Sequence, residues 1–119
     1  MNDNIIAHFL PSDLLEYFSI REVQNLIDEK TKQPFIKIHL EEKNNLPSGF
    51  DVTQYESKGF TEITLQDFPI RGKAVYLVIK RRRWRNKINE KEIIRNEFPF
   101  VADGSKLTKE LSDFLKGTG

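Results

Sequence analysis

The stretch Lys80-Arg81-Arg82-Arg83-Trp84-Arg85-Asn86-Lys87 places six positive charges in eight residues. Guanidinium groups grip phosphates as a two-pronged fork, and a neighbouring indole can stack on a base, a sugar or another arginine. The chemistry on offer is therefore anion recognition, with the phosphate backbone of DNA as the expected ligand. Arg71, Lys73 and Arg95 lie near enough in sequence to extend such a patch. The competing reading of these residues is a cationic hairpin that pairs with acidic residues elsewhere in the chain and guards an edge strand against aggregation.

Other chemistries find little support. The chain has no cysteine, which removes disulfides, a thiolate nucleophile and any Cys-ligated zinc or iron–sulfur cluster. His8 and His39 alone make no multi-histidine metal site, so no metal or other cofactor is expected. Ser57, Ser105 and Thr108 lack the surroundings of a nucleophile elbow, and no glycine-rich loop follows a strand to open a helix. Nothing in the order of the carboxylates brings three together for two-metal phosphoryl transfer. The expectation is a non-enzyme.

The net charge of +1 over 119 residues conceals a strong asymmetry. Residues 1–67 carry 12 Asp and Glu against 6 Lys and Arg, whereas residues 68–119 carry 6 against 13. An acidic half and a basic half suggest an anionic partner for the latter, or attraction between the two. Apolar runs reach only four or five residues, too short to span a bilayer, and Met1-Asn2-Asp3-Asn4 lacks the basic residues of a secretory signal. These features predict a cytosolic protein without a membrane partner.

The elements that must position the basic stretch follow from composition and period. Twelve Ile and nine Phe against three Ala suit pleated, half-buried surfaces. The predicted fold is α+β and mostly β: one small antiparallel sheet with a helix near each end, forming a single domain over 1–119. Ser12 could cap a short helix through Leu14-Leu15-Glu16-Tyr17-Phe18. The segment Ile20 to Asp28 fits a helical stripe or a strand, but the next one alternates, with Ile36, Ile38 and Leu40 on one face and Lys37, His39 and Glu41 on the other. A polar turn at residues 29–34 between them favours a hairpin, completing an N-terminal unit over 1–42. Residues 43–59 break every period and read as a long loop.

Residues 60–104 then supply further strands. Phe60 to Leu65 leads to an Asp67-Phe68-Pro69-Ile70-Arg71-Gly72 turn, in which Asp67 folds back on turn amides and Gly72 supplies positive φ. Val75, Leu77 and Ile79 alternate with Tyr76 and Val78 in a strand apolar on both faces. Its continuation puts Arg81 and Arg83 on one face and Arg82 and Trp84 on the other. Since no core buries that many unpaired cations, the strand is expected to leave the sheet near Lys80. After a polar turn over 86–92, Ile93-Ile94-Arg95 returns as a strand and Phe98 to Val101 closes it. Leu107, Leu111, Phe114 and Leu115 form one helical stripe over 105–117, with Asp103 or Ser105 as cap and Gly117 as stop.

Phe60 to Leu115 resembles the N-terminal region of a group of bacterial insertion-sequence transposases. In these an Asp-Phe-Pro turn leads into an apolar strand ending in an Arg-Arg-aromatic triplet, here Arg82-Arg83-Trp84. A hydrophobic-Pro pair follows, here Phe98-Pro99, and then a Thr-x-x-Leu, here Thr108 and Leu111. Phe9-Leu10-Pro11 with Leu14-Leu15, and Leu40-Glu41-Glu42-Lys43, look like the N-region of ISAon-type transposases. In the broader group the region is a zinc ribbon with paired cysteines; this sequence has none, and Asn86 stands where the first cysteine after the triplet would fall. The resemblance implies a ribbon without metal that binds element-end DNA and works with a separately encoded catalytic transposase. An alternative is a regulatory module that docks on that transposase through its acidic half and Phe9, Leu10 and Leu14, without touching DNA.

Overall fold

A computed structural model describes Leu10, Pro11 and residues 14–98 and 106–118. One turn of helix, α1 (Leu14–Tyr17), runs directly into β1 (Phe18–Ile27), which pairs antiparallel with β2 (Pro34–Glu42). The strand reading of Ile20 to Asp28 therefore holds. The hairpin closes on Asp28, whose Oδ1 accepts the backbone N–H groups of Lys30 and Thr31, both at 2.9 Å. Such an Asx turn satisfies amides that no strand can reach.

After residues 43–54 the chain returns as β3 (Tyr55–Ile70), turns, and passes back as β4 (Lys73–Asn86) between β3 and β2. The sheet order is β1-β2-β4-β3, and the two-residue β5 (Ile93–Ile94) pairs with β4 beside Trp84 and Arg85. The sheet is thus mixed and not purely antiparallel, because β2 and β4 run parallel from Phe35/Ala74 to Glu41/Lys80. Alternation fixes which face of a strand is buried and says nothing of the neighbour's direction. Here the loop carries the chain across to the far edge, and the tight β3–β4 turn then delivers β4 into the gap.

That turn is shorter than expected. Only Arg71 and Gly72 lie outside the strands, with φ of 53° and 78°, the pair of positive values that a two-residue hairpin loop demands. Asp67-Phe68-Pro69 belongs to β3, where a register shift between Asp67 and Ile70 accommodates the proline. Asp67 does not serve the turn; it is buried on the core face and accepts the hydroxyl of Thr108 at 2.9 Å. β3 also begins five residues before Phe60, so the loop is shorter than 43–59.

The core lies on one face of the sheet. Leu14, Phe18, Ile36, Ile38, Leu40, Leu65, Val75, Leu77, Ile79 and Phe98 form its buried cluster. Phe98 packs on Tyr17 and Phe18 with ring centroids 5.3 and 4.9 Å apart. The second helix, α2 (Lys109–Thr118), is capped by Thr108, whose Oγ1 accepts the Leu111 amide at 3.4 Å. Gly117 lies inside the helix and does not stop it. Leu111 is buried, while Phe114 and Leu115 are about half exposed, so the stripe is only partly covered. The expected roles of Phe9, Ser12, Pro99, Phe100, Val101, Asp103 and Ser105 fall outside the described residues. Among the described residues no helix is long and apolar enough to cross a membrane.

Candidate nucleic-acid interface

β4 does not leave the sheet at Lys80. It stays paired to Asn86, with β3 on one side throughout and β5 replacing β2 on the other. Where β2 has ended and β5 has not begun, a side chain fills the gap. The carboxylate of Glu42 accepts the backbone N–H of Arg82 at 2.9 Å and the side-chain amide of Asn96 at 2.8 Å. Glu42 is the next core-facing residue after Ile36, Ile38 and Leu40, and it is 2% exposed. Burial pushes its carboxyl above the ordinary carboxylate range. The Asn96 and Arg82 hydrogen bonds and the charges of Arg81 and Arg82 oppose that rise.

Arg82 is held entirely by the fold. Its Nε and one terminal nitrogen donate to the Glu42 carbonyl at 3.3 and 3.2 Å, and the other donates to Ser57 Oγ at 2.6 Å. The guanidinium also lies 4.6 Å from the centre of the Phe60 ring. Trp84 is 1% exposed, with Nε1 donating to Asn44 at 2.9 Å, so it packs inside and offers no stacking surface. Of the Arg82-Arg83-Trp84 triplet, Trp84 thus ties the loop over 43–54 to the sheet, and Arg82 bridges the strands at either end of that loop, β2 and β3. Asn86 folds the following turn, its Oδ1 accepting the amides of Ile88 and Asn89 at 2.8 and 3.0 Å.

Arg81, Arg83 and Arg85 stand differently. They occupy alternate positions on one face of β4, ~6.6 Å apart at about 3.3 Å per residue. Each commits a single terminal nitrogen: Arg81 to the Asn96 carbonyl at 3.0 Å, Arg83 to the Lys58 carbonyl at 3.4 Å, and Arg85 to Glu56 at 3.3 Å. The Nε of all three is buried and has no acceptor among the described residues. Arg83 faces the register shift between Ser57 and Phe60, where Gly59 at φ 92° lets the strand bulge beside it; a Cβ there would lie 3.6 Å from the guanidinium.

The remaining basic residues divide by position. Lys80 is exposed on the opposite face, in register with Glu41 and Glu62. Lys87 and Arg95 are exposed at the same end of the sheet as the arginine row. Arg71 and Lys73 sit at the other end of β4, roughly 26 Å from Arg81 at the strand rise. They form no continuous patch with it. The acidic half does reach the basic one, through Glu42 and through the 3.3 Å ion pair of Glu56 with Arg85; Glu97 also lies 3.8 Å from Arg81, whose guanidinium sits 5.9 Å from the Phe98 ring, and among the described residues Arg83 alone of the row has no carboxylate partner. Sequence reasoning gave Glu42, Ser57 and Asn96 no part in this site. The signal for Glu42 was its place at the end of the apolar alternation. Leu14, one of the residues assigned to an alternative docking surface, lies fully inside the core.

Among the described residues no three His, Asp or Glu converge as metal ligands. His39 is half-buried on β2, hydrogen-bonded to Gln24 at 2.6 Å. Comparison with known proteins finds no matching family model, curated protein or solved structure, so a functional reading of this surface rests on its own geometry.

Proposed function

We propose that the protein is a non-catalytic DNA-binding module in which Arg81, Arg83 and Arg85 hold the phosphate backbone, with Lys87 and Arg95 at the margins. The observation that carries this reading is the row of three guanidiniums whose donors the fold leaves largely unused. Their Nε atoms are sealed inside, so a ligand would meet the second terminal nitrogen of each, which bonds no described residue and is open to solvent. Phosphate oxygens are the acceptors that guanidinium geometry fits best. Arg82 and Trp84 serve indirectly, by holding the strand that presents the row.

The setting we propose is an insertion-sequence transposase, with the chain acting on element-end DNA beside a separately encoded catalytic protein. The order of the Asp-Phe-Pro, Arg-Arg-Trp, Phe-Pro and Thr-x-x-Leu motifs supports it. So does the antiparallel arrangement of β3, β4 and β5, which is what a zinc ribbon without its metal would leave. Contacts to phosphate position a protein and carry no sequence information, so selectivity for element ends would come from DNA shape or from the partner.

Retardation of terminal inverted-repeat DNA by the protein and by an Arg81/Arg83/Arg85→Ala variant tests the site. With about four phosphates neutralised, log K falls against log salt with a slope of roughly −3.6, and the variant loses most of both affinity and slope. Equal binding by the two proteins sinks the assignment.

A further inference from the structure

At the opposite end of the sheet, on the face away from the core, a cleft of about 530 Å³ opens between the β1–β2 turn and the β3–β4 turn. That volume lies within the ordinary range for small-molecule and cofactor sites. Its floor is Phe35 on β2 and Tyr76 on β4, neighbouring strands, with ring centroids 5.9 Å apart at 85°. Lys37, one step along β2 on the same face, lines it as well, and its ammonium has no hydrogen bond or ion pair among the described residues. Asp28, Thr31 and Thr64 supply polar groups around the rim. Among the described residues the lining consists of strands and turns alone.

We infer that this cleft is a second nucleic-acid contact, which takes an unpaired base of a single strand against the face of one ring of the perpendicular Phe35/Tyr76 pair and its phosphate on Lys37. Aromatic side chains on adjacent strands of an open sheet face are the arrangement that stacks unstacked bases, because every base presents a π-face. The charges give the site a direction. Asp28 stays ionised, its carboxyl held below the ordinary range by the Thr31 and Lys30 amides, so a phosphate is repelled from the turn and drawn toward Lys37. A base with an exocyclic amino group can then donate to the Asp28 side. The cleft cannot serve the same stretch of backbone as the arginine row, since Tyr76 and Arg83 lie on opposite faces and about 23 Å apart along β4. The inference rests on the nucleic-acid reading above but on different residues.

The test is fluorescence anisotropy with an end-labelled 12-nucleotide single strand and a blunt duplex of the same sequence. The proteins are the parent chain, Tyr76→Ala, Tyr76→Phe, Lys37→Ala and the triple arginine variant. Loss of one stacked base costs about 1–3 kcal/mol, so Tyr76→Ala weakens single-strand binding by roughly 5- to 150-fold. Tyr76→Phe stays within about twofold, and duplex affinity is unchanged in both. Lys37→Ala lowers the single-strand salt slope by about 0.7. It reports on the cleft even if Tyr76→Ala proves misfolded by Trp84 fluorescence. No single-strand binding by the parent chain, Tyr76→Ala binding as the parent does, equal losses on single strand and duplex, or an unaltered Lys37→Ala slope overturns the inference. Duplex binding that survives the triple arginine substitution, with the Tyr76 effect intact, removes the arginine site and leaves this one.

Discussion

Replacing Glu42 by alanine tests the central structural claim, that one carboxylate closes the gap between β2 and β5. The change removes two acceptors, at 2.9 Å from the Arg82 amide and 2.8 Å from the Asn96 side chain. Hydrogen bonds to a charged partner contribute about 1.5–3 kcal/mol each, which puts the gross loss at roughly 3–6 kcal/mol. Against this stands the cost of keeping a carboxylate 2% exposed, visible in the upward displacement of its pKa. The net expectation is about 3 kcal/mol, the lower end of that gross loss. With an unfolding entropy of ~2.1 cal/mol/K per residue over 119 residues, that lowers Tm by about 12 °C. Urea unfolding followed by fluorescence is the assay, because Trp84 is the sole tryptophan and is buried beside the site. Glu42→Gln keeps an oxygen for the Arg82 amide and, with the Asn96 amide turned over, costs only about 1 kcal/mol. A Glu42→Ala protein within about 0.5 kcal/mol of the parent, or a glutamine variant as damaged as the alanine one, would refute the argument.

The same site sets a pH dependence. Because burial raises the folded-state pKa of Glu42 and of Asp67, protonation favours the folded form; their contribution is present below the unfolded pKa and is lost as pH rises through the folded one. A Glu42→Gln/Asp67→Asn variant should therefore lose less stability than the parent between acid and neutral pH, as urea midpoints across that window will show. Arg82→Ala should destabilise by about 2–3 kcal/mol, since it removes three side-chain hydrogen bonds and the Phe60 contact, whereas Arg83→Ala should change stability by less than about 0.5 kcal/mol; paired thermal melts distinguish them. Thr108→Val removes both the cap of α2 and the buried bond to Asp67 and should cost about 2 kcal/mol, with amide exchange rising across Lys109–Thr118. Gly72→Val meets open space but must hold a φ of 78°, so a loss of roughly 1–3 kcal/mol in a urea titration would reflect backbone strain alone.

The sequence by itself determined the elements whose rule is local. Period-two alternation placed Ile36, Ile38 and Leu40 on the buried face of β2, and Val75, Leu77 and Ile79 on that of β4. Polar and glycine-containing segments marked the turn at residues 29–34 and one over 67–72, which the structure narrows to Arg71 and Gly72, and the crowding of cations after Ile79 identified the most highly charged end of the sheet. Tertiary structure alone decided the direction of β2 against β4 and the fate of each arginine. Both depend on groups far apart in the chain. Arg82 and Glu42 are 40 residues apart, and the choice between a spent guanidinium and an available one turns on where a distant carboxylate, carbonyl or ring comes to rest. Alternation put Arg82 and Trp84 on one face and Arg81, Arg83 and Arg85 on the other. Only the loop over 43–54, packed on the first face, buried Trp84 and left the second as the surface with donors to spare.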